Sequence, residues 1–263
     1  MPMEIRADIA MTERGLCKSR SRAKMLIAEG KVTLNGNPLQ KASVIVKETD
    51  VLSLSDDLQY VGRGGLKMEG ALQNFPISVK NRICMDVGAS TGGFTDCMLQ
   101  NGAELVYAID VGKGQLDESL CQNPKVVNLE NTDIRFVESL PEMPDFCGID
   151  VSFISLKLVL PSVYRLLAEK AECVALIKPQ FEAGRQNIGK HGIVKSAKAH
   201  KQVLQEVTAF AQEIGFQVQG VCISPVQGGS GNIEYLAYLT KNHSAENGFP
   251  DFDSLVKLTG LRG

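Results

Sequence analysis

From residue 82 to 240 the chain alternates short apolar runs with stretches of helical spacing, and this alternation constrains its fold more than any other feature. Strands are expected over 82–87, 105–110, 125–129, 146–151, 172–177, 216–223 and 233–240, with helices over 93–101, 113–121, 155–168 and 195–214. In the last of these helices Val203, Val207, Phe210 and Ile214 fall on one face, and Gly215 ends it. Strands separated by helices are joined by crossovers, which set successive strands side by side in one direction. The expectation is an α/β fold: a mostly parallel, seven-stranded sheet with helices on both faces. Ligands bind such open sheets at the carboxyl ends of the strands.

Residues 1–60 read differently, as a small α+β module. Ile5, Ile9 and Leu16 are spaced like one helix face, and Gly15 ends that helix. Ser19 or Ser21 can cap a second helix that turns Ala23, Leu26 and Ile27 inward and stops at Gly30. Val32–Leu34 reads as a strand, Asn35-Gly36 is a strong hairpin signal, and Val44–Val46 and Val51–Leu54 read as two further strands. Residues 14–31 hold Arg14, Lys18, Arg20, Arg22, Lys24 and Lys31 against one acid, Glu29. The whole chain carries a formal net charge of -2, so any surface for polyanions must be local, and this stretch is the place for it. A merely solvated helix face is the alternative. Asp56-Asp57 and the glycines at 62, 64 and 65 mark a junction, with 61–66 as the linker and a helix over Gly65–Asn74 carrying Leu66, Met68 and Leu72. The second domain is expected over 67–243, followed by a tail of little pattern over 244–263.

Several function classes are disfavoured. No run of about 18 uncharged apolar residues is present, so no membrane span is expected, and the N-terminus lacks a secretory pattern. Seven cysteines, odd in number and never spaced as C-x-x-C, fit free thiols in a reducing cytoplasm. Three histidines without partners at ligand spacing give no reason to expect a metal.

The segment "ICMDVGASTGGFTD" joins a strand to a helix through small residues. Ser90 or Thr91 can cap the helix, whose free N–H groups suit an anionic group. A dinucleotide fingerprint would need glycine at 90, where Ser90 stands, and a P-loop would need lysine at 94, where Phe94 stands. Two other carboxylates end strands nearby: Asp110 in "VYAID", able to accept ribose hydroxyls, and Asp133 in "NLENTDIRF".

Three resemblances carry this further. "RGLCKSRSRAKMLIAEGKVTLNG" resembles the S-four RNA-binding domain, which implies RNA contact through Arg6, Arg14, Lys18, Arg20, Arg22, Lys24 and Arg63. The loop from Asp86 to Phe94 resembles motif I of the FtsJ-like methyltransferases. That implies a Rossmann-like domain binding S-adenosyl-L-methionine through Asp86, Gly88, Ala89, Ser90, Thr91, Gly92, Gly93 and Phe94, with Asp110 on the ribose and Asp133 and Ile134 at the adenine. The group's Lys-Asp-Lys-Glu catalytic set falls on Lys67, Asp150, Lys178 and Glu234. Topology favours the same residues independently, since Asp150 and Lys178 end expected strands and Glu234 begins one that reaches the same edge if it runs antiparallel.

Taken together, "RGGLK", "DVGASTGGFT", "VSFISL", "IKPQFE" and "SGNIEY" make residues 4–240 resemble the haemolysin A (TlyA) family. The resemblance implies 2′-O-methylation of cytidine in ribosomal RNA of the small or large subunit by a cytoplasmic protein, with a monomer favoured. "IGKHGIVKSAKAH" is similar to that family's mobile loop near the active site, with His191 not expected to ligate metal. Gly62 departs from the family pattern, where serine is common. Three rivals are a membrane-acting haemolysin, a non-catalytic ribosome-assembly factor and a pseudouridine synthase. The last would need an R-L-D motif, and the nearest string is Gln115-Leu116-Asp117.

Overall fold

The computed structural model describes residues 4–17, 19–28, 30–54, 59–228, 231–242 and 251–261. Lys18, Asp56 and Asp57 lie outside the described residues. The chain divides into two compact units, 1–63 and 64–263.

In the first unit, β1 (Ile5–Arg6) leads into α1 (Ala7–Glu13) and α2 (Arg20–Ala28), followed by β2 (Val32–Leu34), β3 (Asn37–Pro38), β4 (Ile45–Val46) and β5 (Leu52–Leu54). Ile5 was expected on a helix face; instead Ile5 and Arg6 pair antiparallel with Val46 and Ile45. The face that α1 buries is Ala7, Asp8, Ala10 and Met11, because the helix begins two residues later than its apolar spacing implied. Ser19 Oγ accepts the Arg22 N–H at 3.2 Å, so Ser19 caps α2. Asn35 and Gly36 both adopt left-handed backbone angles, the requirement of a two-residue turn between β2 and β3. Ala23, Leu26, Ile27 and Val32 close a small core with Ala7, Ala10 and Met11.

The second unit opens on α3 (Gly64–Asn74), which begins within the stretch expected as linker. There follow β6 (Ile83–Val87), α4 (Gly93–Gln100), β7 (Leu105–Ile109), α5 (Glu118–Cys121), β8 (Val126–Leu129), β9 (Phe146–Ile149), α6 (Leu156–Leu166), β10 (Ala171–Ile177), α7 (Pro179–Glu182), α8 (Ala197–Glu213), β11 (Gln217–Ile223), β12 (Tyr235–Lys241) and α9 (Phe252–Leu258). Seven strands form one sheet in the order β11-β12-β10-β9-β6-β7-β8, and β12 runs antiparallel to both of its neighbours. The chain runs outward from β6 through β7 to β8 and then returns to β9 on the other side of β6. The strand order therefore reverses between β6 and β9, which is where such sheets open a ligand crevice.

The central strands are buried on both faces; every residue of β10 is buried. Leu156, Val159, Leu160, Val163 and Leu166 of α6 repeat at helical spacing and pack on the sheet. Two expectations fail here. Only the end of 113–121 is helical, since residues 113–117 form a loop held by Glu130. The tail, read as patternless, contains α9, whose Phe252 and Val256 join the main core and whose N-terminus is capped by Asp251.

Candidate active site

The loop after β6 is shaped first by the protein's own packing. A Cβ on Gly88, which sits at φ +84°, would lie 2.6 Å from the Asp150 carbonyl oxygen at the end of β9. Glycine is what lets these two strand ends approach across the switch point. Gly93 meets α3 in the same way: a Cβ there would lie 2.7 Å from the Gly65 nitrogen. Gly93, packed on Gly64 and Gly65, thus lets α3 and α4 touch backbone to backbone, and Lys67 enters the sheet edge from α3.

Neither Ser90 nor Thr91 caps α4. Its N-cap is Gly92, without a side-chain cap bond. The role passes to Asp86, whose Oδ2 accepts both the Thr95 N–H at 2.9 Å and the Thr95 hydroxyl at 2.7 Å. Ser90 adopts φ 50° and gives its N–H to Asp110 Oδ2 at 2.8 Å, which leaves it no geometry for capping. Ala89 and Phe94 are buried, and Phe94 lies against Gly148 of β9. Asp86 is fully buried and its Oδ1 has no hydrogen-bond partner among the described residues. Burial pushes its carboxyl up to about 7, against the lowering effect of the two Thr95 bonds.

Asp110 also accepts the Gly112 N–H at 2.7 Å, so its two oxygens brace the loops on either side of it. Asp133 caps the 3-10 turn Ile134–Phe136 and pairs with Arg135 at 2.6 Å. That pairing holds its carboxyl below the usual range. Ile134 is buried in the core cluster. The donors that a sulfonium nucleoside presents are a ribose diol, an amino group and an adenine amine, with positive charge at sulfur. Asp110, Asp133 and Asp150, which follow the ends of β7, β8 and β9, offer acceptors and negative charge, so the residues present fit such a group.

The four residues expected to carry chemistry stand in one row. Lys178 Nζ lies 2.6 Å from Asp150 Oδ1 and donates to Ser152 Oγ at 2.8 Å. Lys67 Nζ lies 3.6 Å from Asp150 Oδ2 and 2.8 Å from Glu234 Oε2. Gln180 Nε2 donates to Glu234 Oε1 at 3.0 Å. Burial raises the Asp150 carboxyl, but the ammonium groups of Lys178 and Lys67 outweigh it and hold the group below its ordinary value. Two cations and two anions alternate, so the row is neutral as a whole. The antiparallel course of β12 delivers Glu234: Tyr235 pairs with Ile177, and the residues just outside that pair are Glu234 and Lys178.

Ser152, Gln180, Phe153 and Phe181 were not singled out from the sequence. Phe153 is 91% exposed at φ 65°, with its ring centroid 4.9 Å from that of Phe181. Their signal was adjacency alone, within "DVSF" and "KPQF".

In the first unit the cations gather on a buried carboxylate. Asp8 accepts from Arg6 Nε at 2.9 Å and Arg20 Nη2 at 3.1 Å, with Lys24 Nζ at 4.0 Å. The Arg6 guanidinium, then Arg20, holds the Asp8 carboxyl down to about 2 against the effect of burial. Arg14 instead donates to the carbonyls of Asp50 and Lys47, and Arg63 to the carbonyl of Ala28. Arg22 sits half-buried on α2.

The comparisons with known proteins agree with this architecture. A family model described as FtsJ-like methyltransferase matches residues 60–241, and an S4 domain model matches residues 5–52. The 16S/23S rRNA (cytidine-2′-O)-methyltransferase TlyA of Mycobacterium tuberculosis is 42% identical over 243 residues, covering 91% of each chain. Hemolysin A of Brachyspira hyodysenteriae is 39% identical over 237 residues, covering 89% of this chain and 99% of that one. A solved structure from Streptococcus thermophilus, classed as a hemolysin, superposes with a TM-score of 0.78 at 45% identity, over 99% of this chain and 96% of that one. With a glycine-packed loop at the switch point, a catalytic-type ion row beside it and an S4 module ahead of both, the chain belongs to the TlyA/haemolysin A family of FtsJ-like methyltransferases.

Proposed function

We propose that this protein methylates the ribose 2′-hydroxyl of a cytidine in ribosomal RNA, with S-adenosyl-L-methionine as methyl donor. The observation that carries the reading is the Lys178–Asp150–Lys67–Glu234 row at the strand edge beside the Asp86–Phe94 loop. When bound, the cofactor supplies a methyl group already activated by the positive sulfur. What remains for the protein is to align oxygen, carbon and sulfur and to let a proton go.

Lys178 is the group for the first task. Asp150 and Ser152 hold its ammonium from one side, which leaves a donor direction for a ribose oxygen. An ammonium in that place orients the hydroxyl and stabilises negative charge on oxygen as its proton leaves to water. Lys67, itself held by Glu234, helps keep Asp150 ionised and in place. Asp110 is the acceptor for the cofactor ribose. Adenine at Asp133 requires that carboxylate to share its oxygens with Arg135 or release it. The basic residues of the S4 module, Arg20, Arg22 and Lys24 first among them, contact RNA phosphates. The protein acts in the cytoplasm as a monomer on ribosomal RNA or ribosomal subunits. No helix of the described residues is long and apolar enough to cross a membrane.

The test has two arms. Lys178→Ala and Asp150→Ala are expected to abolish methyl transfer to ribosomal RNA while calorimetry still detects cofactor binding; wild-type turnover by both would reject the site. Mass-spectrometric mapping of ribose methylation, in ribosomal RNA from cells with and without the gene, is expected to lose a 2′-O-methylcytidine. An unchanged map would reject the substrate.

A further inference from the structure

Residues 184–194 leave the catalytic edge immediately after α7, whose N-cap is Lys178. This loop has two 3-10 turns and no sheet or long helix to hold it. Gly184–Asn187, Gly189, His191 and Gly192 are exposed, and His191 adopts a left-handed backbone at φ 71°. A left-handed conformation at a non-glycine residue costs free energy and persists only where its surroundings enforce it.

The enforcement comes from two buried side chains. Asn232, 3% exposed, donates from Nδ2 to the Gly192 carbonyl at 2.9 Å and accepts the Val194 N–H on Oδ1 at 3.1 Å. One amide thereby pins both sides of Ile193, as a paired strand would. His200, fully buried on α8, has Nε2 3.0 Å from the Val194 carbonyl and Nδ1 2.8 Å from the Tyr235 hydroxyl. A carbonyl can only accept, so Nε2 carries the proton and Nδ1 accepts from Tyr235. Asn232 and Tyr235 flank Glu234, and a Cβ on Gly228 would lie 2.4 Å from Glu234 Oε1, so this segment is packed tightly around the carboxylate. The Gly228 N–H in turn donates to the Asn232 carbonyl at 2.9 Å.

We propose that Asn232 and His200 are positioning residues that strap the 184–194 loop to the segment bearing Glu234, and that the strapped loop forms part of the surface receiving the RNA substrate. The part concerning RNA rests on the function proposed above. The strap joins the loop after α7 and the start of α8, which follows it directly, to the start of β12 farther along the chain. Its bonds lie outside the cofactor loop, so the RNA side and the cofactor side of the reaction separate. A loosened strap frees the exposed loop, with Arg185 on it and Lys195 just beyond, without disturbing Asp86–Phe94 or Asp110.

The experiment compares full-length wild type with Asn232→Ala and, because either variant alone can misfold, His200→Phe, which keeps the ring and removes both bonds. Amide hydrogen exchange of residues 189–194 is expected to speed up about tenfold or more, with the β6–β9 core unchanged. The RNA KM is expected to rise about tenfold with kcat within about threefold, and the cofactor dissociation constant to stay within about twofold. Unchanged loop exchange overturns the strap. Faster exchange with an unchanged RNA KM overturns the loop's part in RNA uptake. Equal weakening of RNA and cofactor would show a general structural role and overturn the proposal. If wild type itself transfers no methyl group to ribosomal RNA, the proposed function falls; the exchange measurement and direct RNA binding by each variant still decide the strap and the loop.

Discussion

Asp86 shows how one buried side chain can carry two consequences. It replaces the expected serine or threonine cap of α4, and its second oxygen lacks a partner among the described residues. Its folded-state pKa is about 7, above the ordinary 3.8 of the unfolded chain. The stability associated with the neutral form is therefore complete below about pH 4 and lost as the pH rises to about 7. Between pH 5.5 and 7 the loss is about 2 kcal/mol by linkage, at 1.36 kcal/mol per unit. Asp86→Asn, which cannot ionise, is expected to lack this slope in urea denaturation at the two pH values; an identical slope in both proteins would refute the burial argument. Lys67 is the reverse case, a buried cation between two carboxylates. Lys67→Met is expected to cost about 3 kcal/mol of stability, because buried Glu234 then loses its cation and Asp150 keeps only Lys178. Denaturation of that variant at pH 7 is the measurement, and a loss below about 1 kcal/mol would mean that solvent screens the row.

At the scale of elements, the crossing of α3 and α4 decides where Lys67 arrives. Gly93→Ala would put a methyl group 2.7 Å from the Gly65 nitrogen, and backbone cannot yield as a flexible side chain does. The helix α3 must shift, and about a 1 Å displacement of a positioning group can lower turnover by about a hundredfold. Single-turnover methyl transfer by Gly93→Ala tests this, with wild-type rates as the contrary result. The final helix α9 serves stability instead. Phe252→Ala empties a buried position against the main core and is expected to cost about 3 kcal/mol in chemical denaturation, while folded molecules keep their methyl-transfer rate.

For the molecule as a whole, a net charge of -2 conceals a strongly local distribution. The cations of α1 and α2 are not equivalent. Arg14 ties two backbone carbonyls and Arg6 is held against Asp8, whereas Arg20 and Lys24 are exposed while still leaning on the same carboxylate. Replacing Arg20, Arg22 and Lys24 together by glutamine is expected to weaken RNA binding and reduce the slope of log affinity against log salt by about two to three. Binding titrations from low to moderate salt measure this, and an unchanged slope would place RNA elsewhere. Asp8 belongs to the same surface, since it gathers three side chains that would otherwise repel one another.

The alternation of strands and helices, the S4 module and the small-residue loop were all legible in the sequence, because periodicity and glycine placement are local signals. The seven strands fall within two residues of their expected bounds for the same reason. The short helix over 113–121 and the unrecognised α9 mark the limit of that reading. Residues 113–117 yield to three N–H bonds accepted by Glu130, and α9 is set by a cap and two core contacts rather than by a long pattern. Tertiary structure alone decided that Asp86 caps α4, that Asp133 is shared with Arg135, and that Asn232 and His200 hold the 184–194 loop. The Asn232 contacts and the His200–Tyr235 contact depend on partners brought together by strand order, whereas the Asp86–Thr95 and Asp133–Arg135 contacts are short-range and depend on how the loops turn. The row from Lys67 to Glu234 shows the same division: residues 167 positions apart meet at 2.8 Å because β12 turns back beside β10. Local sequence specifies which elements form, and the reversal of strand order between β6 and β9 specifies what converges at their ends.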